Sequence, residues 1–470
     1  MRPEPNVVRA AAAAMVLALA LGRGPSARSA LGPRYGGELR IAVAEAATTV
    51  EPSVPRGLAD RILAGLMHEM LLGVDEEGRP RPALAQSWAS AADGREWTLR
   101  LAAATFHDGA PVGSADAVRG LRRFLRSESA AAAHLARALE GGDEYRRRGT
   151  EALPGLIALD EGRLVLRFRV PTAVPLAPLA SPAAAIVSGR GAGAGPFVPT
   201  TPPSARGVSA TAFGRHVRGR PFLDVVRLIA APSDRAARSE GLAADVAASA
   251  TPLPPAAGLL LLLLDPAAPP LADGRVRALI AASVDRAQLA RHFLPGGEAA
   301  EVLIAPTLLP ALPVPPPRVP PGPAPVSGRL VLRVSSEVPQ SASQRVVAHL
   351  TALGLEVRAV AAPVASAPPG SPRLLVWYPE VAEAGLALEE LAALAGSPAP
   401  VRTALEAADS VRDFDRRRAD LQRIEESLRA THVLVPLARL PLPLGARSGV
   451  HALRATASGA LVVENAWVEP

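Results

Sequence analysis

The chain of 470 residues contains no cysteine, which excludes disulfides and a lipid-modified cysteine at a mature N-terminus. It contains no lysine either, so all 51 basic residues are arginine. The glycines at Gly189–Gly195 therefore lack the lysine a P-loop needs. Arginine throughout, with an excess of Ala and Pro, reads as codon bias, and arginine is no locator of a site. Aromatic residues make up 3% against 49% hydrophobic, so cores must be built from Ala, Val and Leu. The eight histidines are scattered without an H-x-x-x-H pair, and no G-x-S-x-G elbow occurs. Metal and hydrolase chemistry start from very little. No basic block is interleaved with aromatics, which argues against nucleic-acid binding. Of the formal charge of +7, residues 1–29 carry +3 (Arg2, Arg9, Arg23 and Arg28 against Glu4), leaving +4 for the remainder.

Apolar runs of membrane-spanning length are also missing. Ala10–Leu21 is too short, and with Arg2 and Arg9 ahead of it and Ala27 and Ser29 behind it reads as a secretory signal over residues 1–29. A buried helix or a retained anchor are the alternatives. The six leucines Leu259–Leu264 read as a fully buried strand. The length asks for two or three domains.

What is present is concentrated between Leu71 and Asp116. Turn residues at Asp75–Gly78, Asp93-Gly94 and Asp108-Gly109 each break an apolar run. Between the last two, Trp97, Leu99 and Leu101 alternate with Glu96, Thr98 and Arg100, the period of a half-buried strand. Ser114 stands at a helix N-cap, with Val118, Leu121 and Leu125 following at helical spacing. Elsewhere Gly36–Val43 and Gly162–Val170 read as strands, and Leu58–Met70 as a helix. Gly328 to Ser336 and Gly354 to Ala362 flank a helix over Gln344–Leu353, a βαβ unit. Val411–Ala430 reads as a charged helix with Phe414, Leu421, Ile424 and Leu428 on one side. Pro310–Pro325 reads as extended polyproline II.

The run "PALAQSW" (Pro82–Trp88), "DGREWTLRL" (Asp93–Leu101) and "TFHDGAPVGSADAV" (Thr105–Val118) resembles the bacterial extracellular solute-binding proteins of family 5, the peptide- and nickel-type receptors of ABC importers. "GAGPF" (Gly193–Phe197), "RGRPFLD" (Arg218–Asp224), "GLAADVA" (Gly241–Ala247) and the helix-like Asp273–Leu294 extend the resemblance, which weakens beyond Leu294. The chain departs from the family at Phe213–Val217, where an aromatic pair is missing, and at the proline tract.

The resemblance implies a mixed α/β, two-lobed periplasmic-binding-protein-like fold of type II, closing about a hinge. Lobe one would span 36–256 plus 434–470 with an inserted subdomain at about 56–154, and lobe two 258–433. It further implies a periplasmic, monomeric receptor without cofactor or catalysis, which captures a short peptide or amine-bearing solute and delivers it to inner-membrane permease subunits. A non-transport binding protein on the same scaffold is the alternative. His107 then belongs to a turn. In peptide-binding relatives a Trp three residues before an acid lines the cleft, and the carboxylate pairs with the ligand's amino group. Trp377, Tyr378 and Glu380 match that spacing, with Glu383 a second acid; Trp377 as core and Glu380 as a solvated loop residue is the other reading. Thr48 and Thr49 would lie at the cleft mouth, or else serve a turn or helix cap.

Overall fold

The computed structural model describes residues 32–53, 57–75, 79–149, 151–231, 244–247, 251–253, 258–306, 308, 326–361, 370–456 and 459–469. The signal segment 1–29, Arg56, Gly241–Ala243, Ala256 and the proline tract 310–325 lie outside the described residues.

Glu38–Val43 opens the first main sheet, burying Leu39, Ile41 and Val43 at the period of a strand. It pairs in parallel with Val225–Ala230, at the centre of a seven-stranded sheet. The Leu58–Met67 helix lays Ile62, Leu63 and Leu66 on that sheet.

The second main sheet has six strands and is organised by Gly258–Leu263, every residue of which is buried. Leu260, Leu262 and Leu264 face one apolar cluster, while Leu259, Leu261 and Leu263 face another. Alternate side chains of one strand therefore seed two cores, as expected of a sheet covered on both faces. Its neighbours are Arg373–Trp377 and Leu434–Leu440, both antiparallel to it. Beyond them, Gly328–Val334 and Leu355–Ala361 pair in parallel across the Gln340–Ala352 helix, which is the βαβ unit.

The segment from Leu71 to Arg167 forms the insertion. Ala85–Ser90, Glu96–Leu101, Arg163–Arg167 and Leu156–Asp160 make a four-stranded antiparallel sheet. Two of the expected turns are there: Gly94 and Gly109 take φ of +73° and +86°, and Asp93 and Asp108 each accept a hydrogen bond from the N–H two residues on, while Glu76–Gly78 of the third lie outside the described residues. The Ser114–Arg126, Ala130–Ala138 and Gly142–Arg148 helices complete it.

Five expectations are corrected. The insertion's sheet runs past 154 to Arg167, because its last two strands pair with Glu96–Leu101. Residues 434–440 belong to the six-stranded sheet, hydrogen-bonded to the leucine strand, so the return to the first sheet follows Leu440. Ser114 is the first helical residue rather than the cap; Asp116 reaches back to accept the Gly113 N–H at 3.0 Å. Asp273–Leu294 is two helices, Gly274–Ser283 and Arg286–Phe293, because Asp285 caps a second start by accepting the Gln288 N–H at 2.8 Å. Phe414 begins its helix 76% exposed instead of sharing the apolar side with Leu421, Ile424 and Leu428.

Candidate functional site

The topology locates the hinge. Gly258, where the chain enters the second sheet, pairs with Leu440, where it leaves, and Leu259 pairs with Trp377. Both crossings thus lie at the end of the sheet from which Trp377 to Glu383 emerges. Tyr378 bridges the junction: its ring packs on the first sheet's core, and the Arg61 guanidinium of the Leu58–Met67 helix lies 4.8 Å from its centroid. Gly258 is required here, since a Cβ would come within 2.9 Å of that ring. Burial pushes the Tyr378 phenol far above its usual range. Arg61 also pairs across the lobes with Glu337 at 3.1 Å.

Two residues on, Glu380 faces the insertion. Its carboxylate accepts the Ser129 hydroxyl at 2.7 and 2.8 Å and the Ser181 hydroxyl. Each serine also caps its own helix, Ser129 accepting from Ala132 and Ser181 from Ala183. Burial raises the Glu380 carboxyl against these hydrogen bonds. Behind it Glu390 accepts the Glu380 N–H at 2.8 Å and the Trp377 indole N–H at 3.2 Å. Burial, and then the neighbouring Glu380 charge, push Glu390 well above the carboxylate range. Among the described residues no cation lies within ion-pair distance of either acid.

The same corner is bolted to the insertion on its flank. Val381 and Leu386 are 2% and 1% exposed, inside the insertion's own core with Leu135 and Leu179. Withdrawing them would cost about 1.5–3 kcal/mol apiece. His134 lies 3.1 Å from Glu389 and 3.3 Å from Asp409, and Arg137 pairs with Glu389. Burial alone would lower the His134 pKa, but Asp409 and Glu389 outweigh it and hold it above the usual value.

The other residues singled out in the sequence have local partners. Trp377 is a core residue, 9% exposed, committed to Glu390. Glu383 caps the Ala384–Leu394 helix by accepting the Leu386 N–H at 2.9 Å and pairs with Arg417 at 2.7 Å. Burial works against its charge, yet Arg417 holds it below the ordinary carboxylate range. Thr48 and Thr49 give their N–H groups to Asp60 at 2.6 and 3.2 Å, at the head of the Leu58–Met67 helix. His107 ties the Asp108-Gly109 turn to the Gly195 carbonyl at 2.9 Å. Where the aromatic pair is missing, His216 is wholly buried against Glu69 at 3.0 Å, with Arg218 on the same carboxylate. The structure thus brings Tyr378 and Glu380 to the junction and leaves Glu383, Thr48 and Thr49 on separate duties. Ser129, Ser181 and Glu390 were not singled out. The serines are legible as helix caps, but their partner Glu380 is 251 and 199 residues away.

A family model described as "Bacterial extracellular solute-binding proteins, family 5 Middle" matches residues 79–325, more than half of the chain. The chain belongs to this family. Its fold is that of the family's solved structures. It superposes on the ABC transporter-associated periplasmic binding protein DppA from Helicobacter pylori, in complex with peptide STSA, with a TM-score of 0.76 at 16% identity, over 93% of this chain and 99% of that one. The Escherichia coli murein tripeptide binding protein MppA matches with a TM-score of 0.78 at 17% identity, over 94% and 99%. A structure of MppA in its unliganded open form matches less well, with a TM-score of 0.66 at 18% identity over 93% and 98%. A search of curated protein sequences finds no match. The family and these neighbours are solute-binding proteins. Among the described residues of this chain no group of His, Asp or Glu is arranged to hold a metal ion, and no helix is long and apolar enough to cross a membrane.

Proposed function

We propose that the chain is the extracytoplasmic receptor of an ABC importer, exported by its N-terminal segment and acting as a monomer. It takes a short peptide or related amine-bearing solute between its lobes and hands it to a membrane permease. The solute's ammonium binds at Glu380, beside the Tyr378 ring, with Trp377 and Glu383 on either side of it in the chain and Thr48 and Thr49 at the cleft mouth. One observation carries this reading: Glu380 and Glu390 form a buried acidic pair that has hydroxyl and N–H donors but no cation among the described residues. An isolated charge is costly to bury, and an incoming ammonium supplies the missing countercharge.

The reading is tested by identifying, by mass spectrometry, what co-purifies with the protein from the periplasm, then titrating that compound calorimetrically. Glu380→Gln should weaken binding about tenfold to a hundredfold, the range of a charge-assisted hydrogen bond. Unchanged affinity would sink the anchor. A second reading, a binding protein that no longer serves transport, is favoured by the serine hydroxyls that already engage Glu380. Permease and ATPase genes beside this one, and solute uptake lost on its deletion, would decide for transport.

A further inference from the structure

We infer that the Glu380 corner is a self-latch, in which Ser129 and Ser181 hold the carboxylate and keep the lobes shut. A solute's ammonium then binds by taking Glu380 over from these donors. The second half rests on the proposed anchor role of Glu380; the first half does not.

The geometry is that of a bolt and its keeper. Glu380 leaves the end of the six-stranded sheet at the hinge, and all its side-chain partners belong to the insertion and the segment following it. Two hydroxyl donors converge on one carboxylate, and one of them, Ser129, caps the Ala130–Ala138 helix at the end where the helix dipole favours negative charge. Both hydroxyls are held in position by accepting N–H groups of their own helices, so they point at Glu380 at little further entropic cost. Val381 and Leu386, on the same corner, are seated in the insertion's core, so opening exposes them as well. Arg61 and Glu337 add a bridge on the other side of Tyr378.

The chain has no cysteine, so two can be introduced and labelled cleanly. Ala158, on the insertion's sheet, and Ala359, on the outer strand of the six-stranded sheet, are both exposed. The Ala158→Cys/Ala359→Cys protein, carrying a donor–acceptor dye pair, is stripped of bound compounds by unfolding and refolding. Its energy transfer is then read in buffer alone. The stripped protein should stay in one closed population. Ser129→Ala/Ser181→Ala should shift it toward an open one, each lost charge-assisted bond lowering the closed-to-open ratio about tenfold. Glu380→Asp keeps the charge but withdraws the carboxylate by about 1.5 Å. It should open the protein without removing either serine cap, and it covers the case in which the serine variant folds poorly. An open population in the stripped parent protein, or unaltered transfer in folded Glu380→Asp, overturns the latch. Neither result bears on the anchor, which fails only if Glu380→Gln leaves solute affinity unchanged.

Discussion

Glu390→Gln should change how the stability of this protein depends on pH. The Glu390 carboxyl is buried, receives two N–H donors and has Glu380 beside it, and burial together with that charge pushes it well above the usual range. A carboxyl raised in the folded state binds its proton more tightly there than in the unfolded chain. Over the pH interval between the two pKa values the folded state therefore carries the extra proton, and stability falls as pH rises. Each pH unit within that interval costs about 1.4 kcal/mol. Across pH 5 to 8 the loss from this one group is bounded at about 4 kcal/mol. Glutamine cannot ionise, so the variant loses none of it. It does leave one of the two N–H donors facing an amide NH2, a penalty of about 1 kcal/mol that is the same at every pH. The variant should therefore be slightly less stable than the parent at pH 5 and gain on it progressively toward pH 8. Melting temperature is a poor reporter here. Unfolding entropy of about 2.1 cal/mol/K per residue, summed over a chain of this length, turns 1 kcal/mol into about 1 °C. Urea unfolding followed at several pH values between 5 and 8 resolves the difference. Asp409 and Glu380 are also raised, so some slope remains in the variant. Parallel stability curves for parent and variant would refute the reasoning, since Glu390 would then be ionised in the folded state as it is in the unfolded chain.

The remaining predictions concern the scaffold. Leu262→Ala removes a fully buried side chain from the core under the six-stranded sheet and should cost about 2–5 kcal/mol in urea unfolding, with secondary structure retained by circular dichroism. Gly195→Ala should cost at the top of the about 1–3 kcal/mol range for overpacking, because its Cβ would come within 2.5 Å of the His68 nitrogen and the Met67 carbonyl carbon. Soluble yield and unfolding midpoint measure it; an unchanged midpoint would show that the Met67–His68 backbone moves freely.

Local signals in the sequence translated well where a short stretch settles its own structure. The Asp-Gly turns, the alternation of Trp97, Leu99 and Leu101, the leucine strand and the βαβ unit depend on neighbours in the chain, and all are found. Failures fall where distant partners decide. The resemblance places strand 434–440 in lobe one, and only its pairing with Gly258–Leu263 assigns it to the six-stranded sheet. At the junction, the resemblance singled out Glu380 by its place after Trp377, but the serines that engage it are ordinary helix caps in the sequence. Glu390 lies on a helix whose apolar face gives no reason to expect an acid turned toward Trp377 and the Glu380 backbone.

The leucine strand carries a further consequence. Six identical side chains in succession cannot tell a strand where it is, because sliding by one position replaces leucine with leucine on both faces. Information about alignment must reside at the ends. At one end Gly258 lies under the Tyr378 ring, where a slipped leucine would collide. At the other, Asp265 accepts N–H groups from Gly370 at 2.7 Å and Ala267 at 2.9 Å and so ends the run at a fixed place. Against Arg373–Trp377, which both stops flank, the pairing runs without a break, and the one fault, between Leu260 and Leu261, falls on the other side against Leu434–Leu440. The same glycine that makes room for the hinge tyrosine therefore also serves as the zero mark of the second lobe's sheet.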